Sequence, residues 1–298
     1  KYEIDPNQRF TVPRIIKGSQ STDGGNFILS ETERAELIAK YPQAEKYIRR
    51  YMGANDFINN KIRYCLWLVD CSPNELRKIP PIYERVLKVK EFRLKSKKPA
   101  TRKWADRSWL FTENRQPDTD YLMIPVVSSE KRRYIPMGWI SKDIIVSNGC
   151  SFIPHATLWL FGTLTSVVHM AWMRVVAGRL EMRYRYSGTV VYNNFAFVNS
   201  DKKRRAKIEA AAQAILDARA KYPEASLADL YDENVMPVEL RAAHRANDAA
   251  VMDAYGYPMS WYEDETKIVI DLMYRMEALV KGNDLSKIAA TSRRNIKE

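Results

Sequence analysis

The feature that most constrains this chain is a change of hydrophobic period at Asn199. Between residues 121 and 198, apolar residues come in short runs broken by Pro125, Pro136 and Pro154, which is the pattern of short strands with edges and bulges. After Asn199 they recur at helical spacing, with Ile208, Ala212, Ile215 and Leu216 marking one face of the first helix. Such a break predicts an α+β fold. A connecting segment with short helices covers 1–60, a mixed-sheet domain 61–198, and a C-terminal helical domain 199–298. A length of 298 residues is enough to bury a core without disulfide staples.

Local signals fill in the elements. Ser30 with Glu33 forms a capping box that opens a helix to Lys40, and a second helix follows over 43–51. Residues 64–69 read as a buried strand, and Ser72, Pro73 and Glu75 open a short helix. In the next helix, Ile82, Tyr83, Val86, Leu87, Val89, Phe92 and Leu94 form the buried side, with Arg85, Lys88, Arg93 and Lys95 outside. Strands are expected over 121–128, 133–140, 144–147, 151–153, 158–161, 183–186 and 190–198, with one helix over 165–177 and Gly178 after its end. Four helices follow: one over 202–222, one capped by Ser226 and Asp229, one over 237–255, and one opened by Ser260 with Glu263 and closed by Gly282. The apolar stretch 156–178 contains Gly162, His169 and Arg174, so it reads as a buried strand and core helix and not as a membrane span.

Charge narrows the function. Residues 61–198 hold 23 Lys and Arg against 11 Asp and Glu, which equals the whole net charge of +12; the rest of the chain holds 25 of each sign. Within that stretch, 77–107 alone carries 12 basic and 3 acidic residues. A cationic segment on an otherwise neutral chain is the footprint of a polyanion, most often nucleic acid, although short charge runs are commonly just solvated helix faces. Three cysteines and three histidines without paired spacing give neither a disulfide framework nor a metal set, and fit a reducing, cytoplasmic compartment. The chain opens at Lys1 with no leader and reads as an excised piece of a longer protein.

Chemistry-bearing motifs are scarce. No Gly-x-Gly turn is present for a nucleotide or methyl donor, and neither Asn193-Asn194-Phe195 nor Ile79-Pro80-Pro81-Ile82 completes the Asn-Pro-Pro-aromatic pattern of amino methylation. Pro117-Asp118 and Glu130-Lys131 lack the spacing of a metal-dependent nuclease. His155 and His169 lie in apolar runs and read as core residues. The chain therefore has no catalytic residue, cofactor site or metal site of its own in this reading.

Binding features are better supplied. Lys95, Lys97, Lys98, Arg102 and Lys103, with Arg132 and Arg133 in the loop 128–134, are candidate phosphate contacts. In 179–187 polar residues alternate with apolar or aromatic ones. As a strand, Glu181, Arg183 and Arg185 would share one face and Met182, Tyr184 and Tyr186 the other. Arg donates to guanine O6 and N7 while Glu accepts from cytosine N4, so the pair suits one C·G base pair. The plain alternative is a solvated ion pair of under about 1 kcal/mol. A non-enzymatic RNA- or general nucleic-acid-binding module, and a basic patch for an acidic protein, are the competing functions.

Several motifs resemble the MmeI-like family of DNA methyltransferases and combined restriction–modification enzymes. They are Trp67-Leu-Val-Asp-Cys-Ser-Pro-Asn-Glu-Leu-Arg-Lys-Ile-Pro80, Glu91-Phe-Arg-Leu-Lys-Ser-Lys-Lys98, Asn114-Arg-Gln-Pro117, Ile124-Pro-Val-Val-Ser-Ser-Glu130, Arg183-Tyr-Arg-Tyr-Ser187 and Val191-Tyr-Asn-Asn-Phe195. Lys17-Gly-Ser-Gln20, Thr22-Asp-Gly-Gly-Asn26 and Ala225-Ser-Leu-Ala-Asp-Leu-Tyr-Asp232 extend the resemblance over nearly the whole chain. It implies the double-stranded DNA target-recognition domain and C-terminal helices of an S-adenosylmethionine-dependent adenine-N6 methyltransferase. The donor would be bound by an upstream methyltransferase domain of the same chain. By motif match, base choice falls to Asn148, Gly149, Glu181, Arg183 and Arg185.

Overall fold

The computed structural model describes residues 12–281. Along the chain run β1 (Ile16–Lys17), β2 (Ile28–Leu29), α1 (Glu31–Lys40), β3 (Ile48–Met52), α2 (Ala54–Ile58), β4 (Arg63–Leu66), α3 (Pro73–Arg77), α4 (Pro80–Leu94) and α5 (Pro99–Lys103). Then come β5 (Tyr121–Pro125), β6 (Val127–Ser128), β7 (Gly138–Ile140), β8 (Ile145–Val146), β9 (Cys150–Pro154), α6 (Leu158–Leu164), α7 (Val167–Val176), β10 (Gly178–Leu180) and β11 (Arg183–Arg185). The last elements are α8 (Lys202–Ala220), α9 (Leu227–Leu230), α10 (Val238–Tyr255) and α11 (Glu265–Val280).

Helix starts follow the local chemistry. The Ser30 hydroxyl accepts from the Glu33 amide at 3.1 Å while the Glu33 carboxylate accepts from the Ser30 amide at 2.8 Å, and Ser72–Glu75 and Ser226–Asp229 repeat the arrangement. At α11 the expected Ser260 box does not form: Met259–Trp261 is a single 3-10 turn and Asp264 stands at the N-cap. Gly282 lies outside the described residues.

Other departures arise where tertiary packing decides. Residues 43–51 are not one helix: Pro42–Tyr47 is 3-10, and β3 follows because Ile48 and Arg50 pair across to Leu66 and Tyr64 of β4. Residues 158–161 belong to a helix. Thr157 caps it through the Leu160 amide at 3.2 Å, and an uninterrupted apolar run carries no period to separate helix from strand. Gly162 is needed there, since a Cβ would come within 2.7 Å of both Ile208 Cγ2 and Asn247 Oδ1. The expected strand over 190–198 is a π-turn, Gly188–Tyr192, followed by irregular chain, and of 133–140 only β7 is strand. Gly178 starts β10 without a left-handed φ.

Contacts divide the chain into two compact units. One comprises Ile16–Tyr121 and Trp139–Phe152, and the other takes the remaining described residues, so the chain passes between them four times. The boundary expected at 60/61 therefore falls inside one unit. By contacts the helices after Asn199 are grouped with α6, α7, β6, β10 and β11.

In the first unit, β2, β4, β3 and β8 form a sheet in that order, antiparallel except for the β3–β8 pair. Its core holds Phe27, Leu29, Tyr47, Leu66, Ile82, Val86, Val89 and Phe111. The buried face of α4 is Ile82, Val86, Val89 and Arg93, spaced four, three and four. Arg93 is thus a correction: it is 0% exposed, whereas Phe92 and Leu94 are 44% and 54% exposed. Its guanidinium donates to five backbone carbonyls, those of Thr22 (3.0 Å), Trp104 (3.0 Å), Arg107 (3.0 Å), Ser21 (2.8 Å) and Leu110 (2.7 Å). All five N–H groups are used, which lets a cation sit without a carboxylate partner.

In the second unit α8 packs on α10 and α6, and α7 on α11, around Trp172, Phe161, Ile208, Leu240, Val251 and Leu272. Asp248 of α10 ties this unit together. It accepts from the Val167 amide at the start of α7 (2.7 Å), the Tyr134 hydroxyl (2.6 Å) and the Tyr262 hydroxyl (3.2 Å), and burial raises its carboxyl to about 6. Among the described residues no helix is long and apolar enough to cross a membrane.

Candidate nucleic-acid interface

The hairpin β10–β11, extended by β6, is an antiparallel sheet with Gly178 opposite Arg185, Arg179 opposite Tyr184 and Leu180 opposite Arg183. Tyr184 and Tyr186 anchor it at 8% and 2% exposure, and the Tyr186 hydroxyl meets His169 Nε2 at 2.9 Å. Arg183 and Arg185, two apart on β11, are exposed on the opposite face. Those two residues stand as the alternation predicts.

Glu181 does not. It and Met182 form the two-residue turn of the hairpin, and Glu181 has φ +56°, an uncommon value for a residue with a side chain. Its carboxylate nevertheless accepts from Arg183 Nη2 at 2.8 Å, with side-chain exposures of 77% and 46%. The contact comes from the turn and not from strand alternation. Met182, expected on one face with Tyr184 and Tyr186, is instead 70% exposed at the tip. Arg179, which the sequence did not single out, lies with its guanidinium 3.8 Å over the Tyr184 ring and donates to the Met182 carbonyl at 3.1 Å. Arg at one end of a turn-length spacing from an aromatic is the signal that would have found it.

Asn148 and Gly149 occupy the turn between β8 and β9 in the first unit, Asn148 half-buried and Gly149 exposed. The Gly149 amide donates to Ser147 Oγ at 3.3 Å. Below the turn, Gly18 lies so close that a Cβ would come 2.1 Å from the Ser147 carbonyl oxygen, which fixes the turn on β1. The hairpin belongs to the second unit.

The cationic residues divide into free and engaged. Lys97, Lys98 and Lys103 are exposed around the α4–α5 junction, with no carboxylate partner among the described residues. Arg102 stitches that junction by donating to the carbonyls of Ser96 (2.8 Å) and Lys97 (3.1 Å), and Lys95 pairs with Glu91 at 2.6 Å. Arg132 and Arg133 are both half-buried. Arg133 stacks 4.9 Å over the Tyr262 ring, and burial lowers the Arg132 guanidinium. The loop 128–134 thus offers phosphate less than its sequence suggests.

The remaining titratable groups are placed for packing. His169 and His244 are 0% exposed, and burial pulls His169 down to about 3 and His244 well below its usual value. His155, expected in the core, is instead exposed in the turn after β9 with φ +55°. Burial pushes the Cys150 thiol up to about 12. Gly24-Gly25, the paired glycines, form a turn whose Gly24 position is closed by the Phe92 ring, where a Cβ would meet Cδ2 at 2.7 Å.

The β10–β11 hairpin thus presents an arginine face from a three-stranded sheet, and the last described elements are packed helices. Two family descriptions match the chain. Residues 5–199 match the model described as MmeI, target recognition domain, and residues 198–282 the one described as MmeI, C-terminal domain. The chain belongs to the MmeI target-recognition-domain family and carries that family's C-terminal domain. DNA methyltransferase A of Bacillus subtilis (strain 168) is 36% identical over 264 residues, covering 89% of this chain and 30% of the relative. The solved structure of the Type IIL restriction-modification enzyme MmeI in complex with DNA is similar at TM-score 0.88 and 43% identity, over 91% of this chain and 36% of that one. The chain therefore spans about a third of the length of each of these two relatives.

Proposed function

We propose that this chain selects the double-stranded DNA site on which a larger S-adenosylmethionine-dependent adenine-N6 methyltransferase, or combined restriction–modification enzyme, acts in the cytoplasm. The observation that carries the reading is the Glu181–Arg183 pair at 2.8 Å on an exposed, core-anchored hairpin. The two-stranded end of the hairpin, beyond its pairing with β6, is narrow enough for the major groove, where Arg183 takes guanine O6 and N7 and Glu181 accepts from the paired cytosine N4. Arg185 reaches a neighbouring pair or a phosphate, Asn148 and Gly149 approach a second position, and Lys95, Lys97, Lys98, Arg102 and Lys103 hold the backbone, with Arg132 and Arg133 contributing less. The methyl donor would be held by a methyltransferase domain upstream in the same protein, a reading supported by the lack of any Gly-x-Gly turn in this sequence. The single-strand alternative is disfavoured: the hairpin aromatics that bases would stack on, Tyr184 and Tyr186, are buried.

The test exchanges the pair in the full enzyme. Glu181→Lys with Arg183→Asp puts a guanine reader where the cytosine reader stood. Methylation sequencing of a random-site library should show preference for the inverted G·C pair at one position only. Unchanged preference would show that the hairpin never meets the bases.

A further inference from the structure

Two apolar side chains at the hairpin end are exposed. Met182 is 70% exposed and Leu180 46% exposed, although the strands behind them are anchored by Tyr184 and Tyr186. Leu180 lies directly opposite Arg183, and a cross-strand pair shares a face, so the exposed face runs Leu180, Arg183, Arg185 with Met182 at its tip.

The backbone of the tip is also braced by its neighbours. Glu181 keeps a left-handed φ of +56° without being glycine, and Arg179 bridges the turn from the Tyr184 ring to the Met182 carbonyl. A non-glycine residue in that region persists only where its surroundings over-determine it. Leu180 and Met182 are therefore presented at fixed places beside Arg183, among three arginines that favour a polyanion over an apolar protein partner. On the floor of the major groove, the one apolar group among the four bases is the thymine C5-methyl.

We propose that Leu180 and Met182 contact the C5-methyl group of a thymine next to the base pair met by Glu181 and Arg183, making them specificity-determining residues. This rests on the hairpin being the groove-entering element.

The test uses the full enzyme and a duplex carrying its own methylated site, with binding followed by fluorescence anisotropy. Each thymine in the site and in the flanking base pairs is replaced in turn by deoxyuridine, which lacks only the methyl. One replacement should weaken binding about fourfold, the change expected when one methyl-sized group leaves apolar contact. In Leu180→Ala/Met182→Ala that thymine and deoxyuridine should bind equally, with an unchanged thermal midpoint, since both side chains are exposed. If no replacement matters, or the variant keeps the fourfold sensitivity, the thymine contact is overturned while site recognition stands. If the wild-type enzyme fails to distinguish its site from a scrambled duplex, both readings fall together.

Discussion

Replacing Arg93 by lysine keeps the charge and most of the length but leaves three N–H donors where five carbonyls are waiting. At least two of the carbonyls of Thr22, Ser21, Trp104, Arg107 and Leu110 then lose their donor. The Arg107 oxygen is the cheapest to release, because it also accepts from the Leu110 amide at 3.1 Å. Each buried acceptor left unmade costs about 1–3 kcal/mol, and with the Arg107 oxygen still paired one such acceptor remains, so Arg93→Lys should lower stability by about 1–3 kcal/mol. Burial brings the guanidinium only to about 10, so the wild-type group remains charged at neutral pH and the comparison is between two cations. Urea unfolding followed by tryptophan fluorescence measures this directly, with Trp104 and Trp109 reporting on the clamped segment and Lys97→Ala, at an exposed site, as a control within about 0.5 kcal/mol. If Arg93→Lys and Arg93→Ala both fell within 1 kcal/mol of wild type, the five carbonyls would have to be satisfied by water, and Arg93 would not be what holds 104–110 to the turn at 21–22.

Removing Lys97 and Lys103 together should flatten the slope of log K against log salt by about 1.8 on any duplex, at about 0.9 per phosphate contact, and leave site preference alone; a changed preference with an intact slope would contradict the phosphate assignment. In acid, His169 and His244 stay neutral when folded but take protons when unfolded below about pH 6.5, while Asp248, raised to about 6, takes up a proton on folding. Depressed bases lose stability as pH falls and a raised acid gains it, so two against one leaves a loss of about 1.4 kcal/mol per unit between pH 6 and 5, read by urea unfolding at each pH; His169→Asn should bring that slope close to zero. Calorimetry of this chain alone with S-adenosylmethionine should give no saturable heat, and saturable binding would place the donor site here.

What the sequence revealed tracks how local the physics is. The capping boxes at Ser30, Ser72 and Ser226 were legible because donor and acceptor lie three residues apart. Arg183 and Arg185 were legible because alternation survives in a short strand. Arg93 was not, since a cation on an amphipathic helix is ordinarily outside, and the carbonyls that accept it come from two stretches outside the helix, 21–22 and 104–110. Glu181 was not either: a two-residue turn usually declares itself with Gly, Asn or Asp, and Glu-Met carries no such signal. Leu158–Leu164 failed for the opposite reason, being apolar on every side.

The fourfold passage of the chain between its two units bears on how such a protein can be inherited with altered specificity. Recombination between two relatives at any single point from residue 16 to 152 would draw at least one core partly from each parent, and side chains fitted to one another would be separated. Change by accumulated codon substitutions avoids that penalty where the altered side chains are solvent-facing. Glu181, Met182, Arg183 and Arg185 meet that condition on one short hairpin, so a lineage can revise the face this hairpin presents while leaving every buried neighbour as it was.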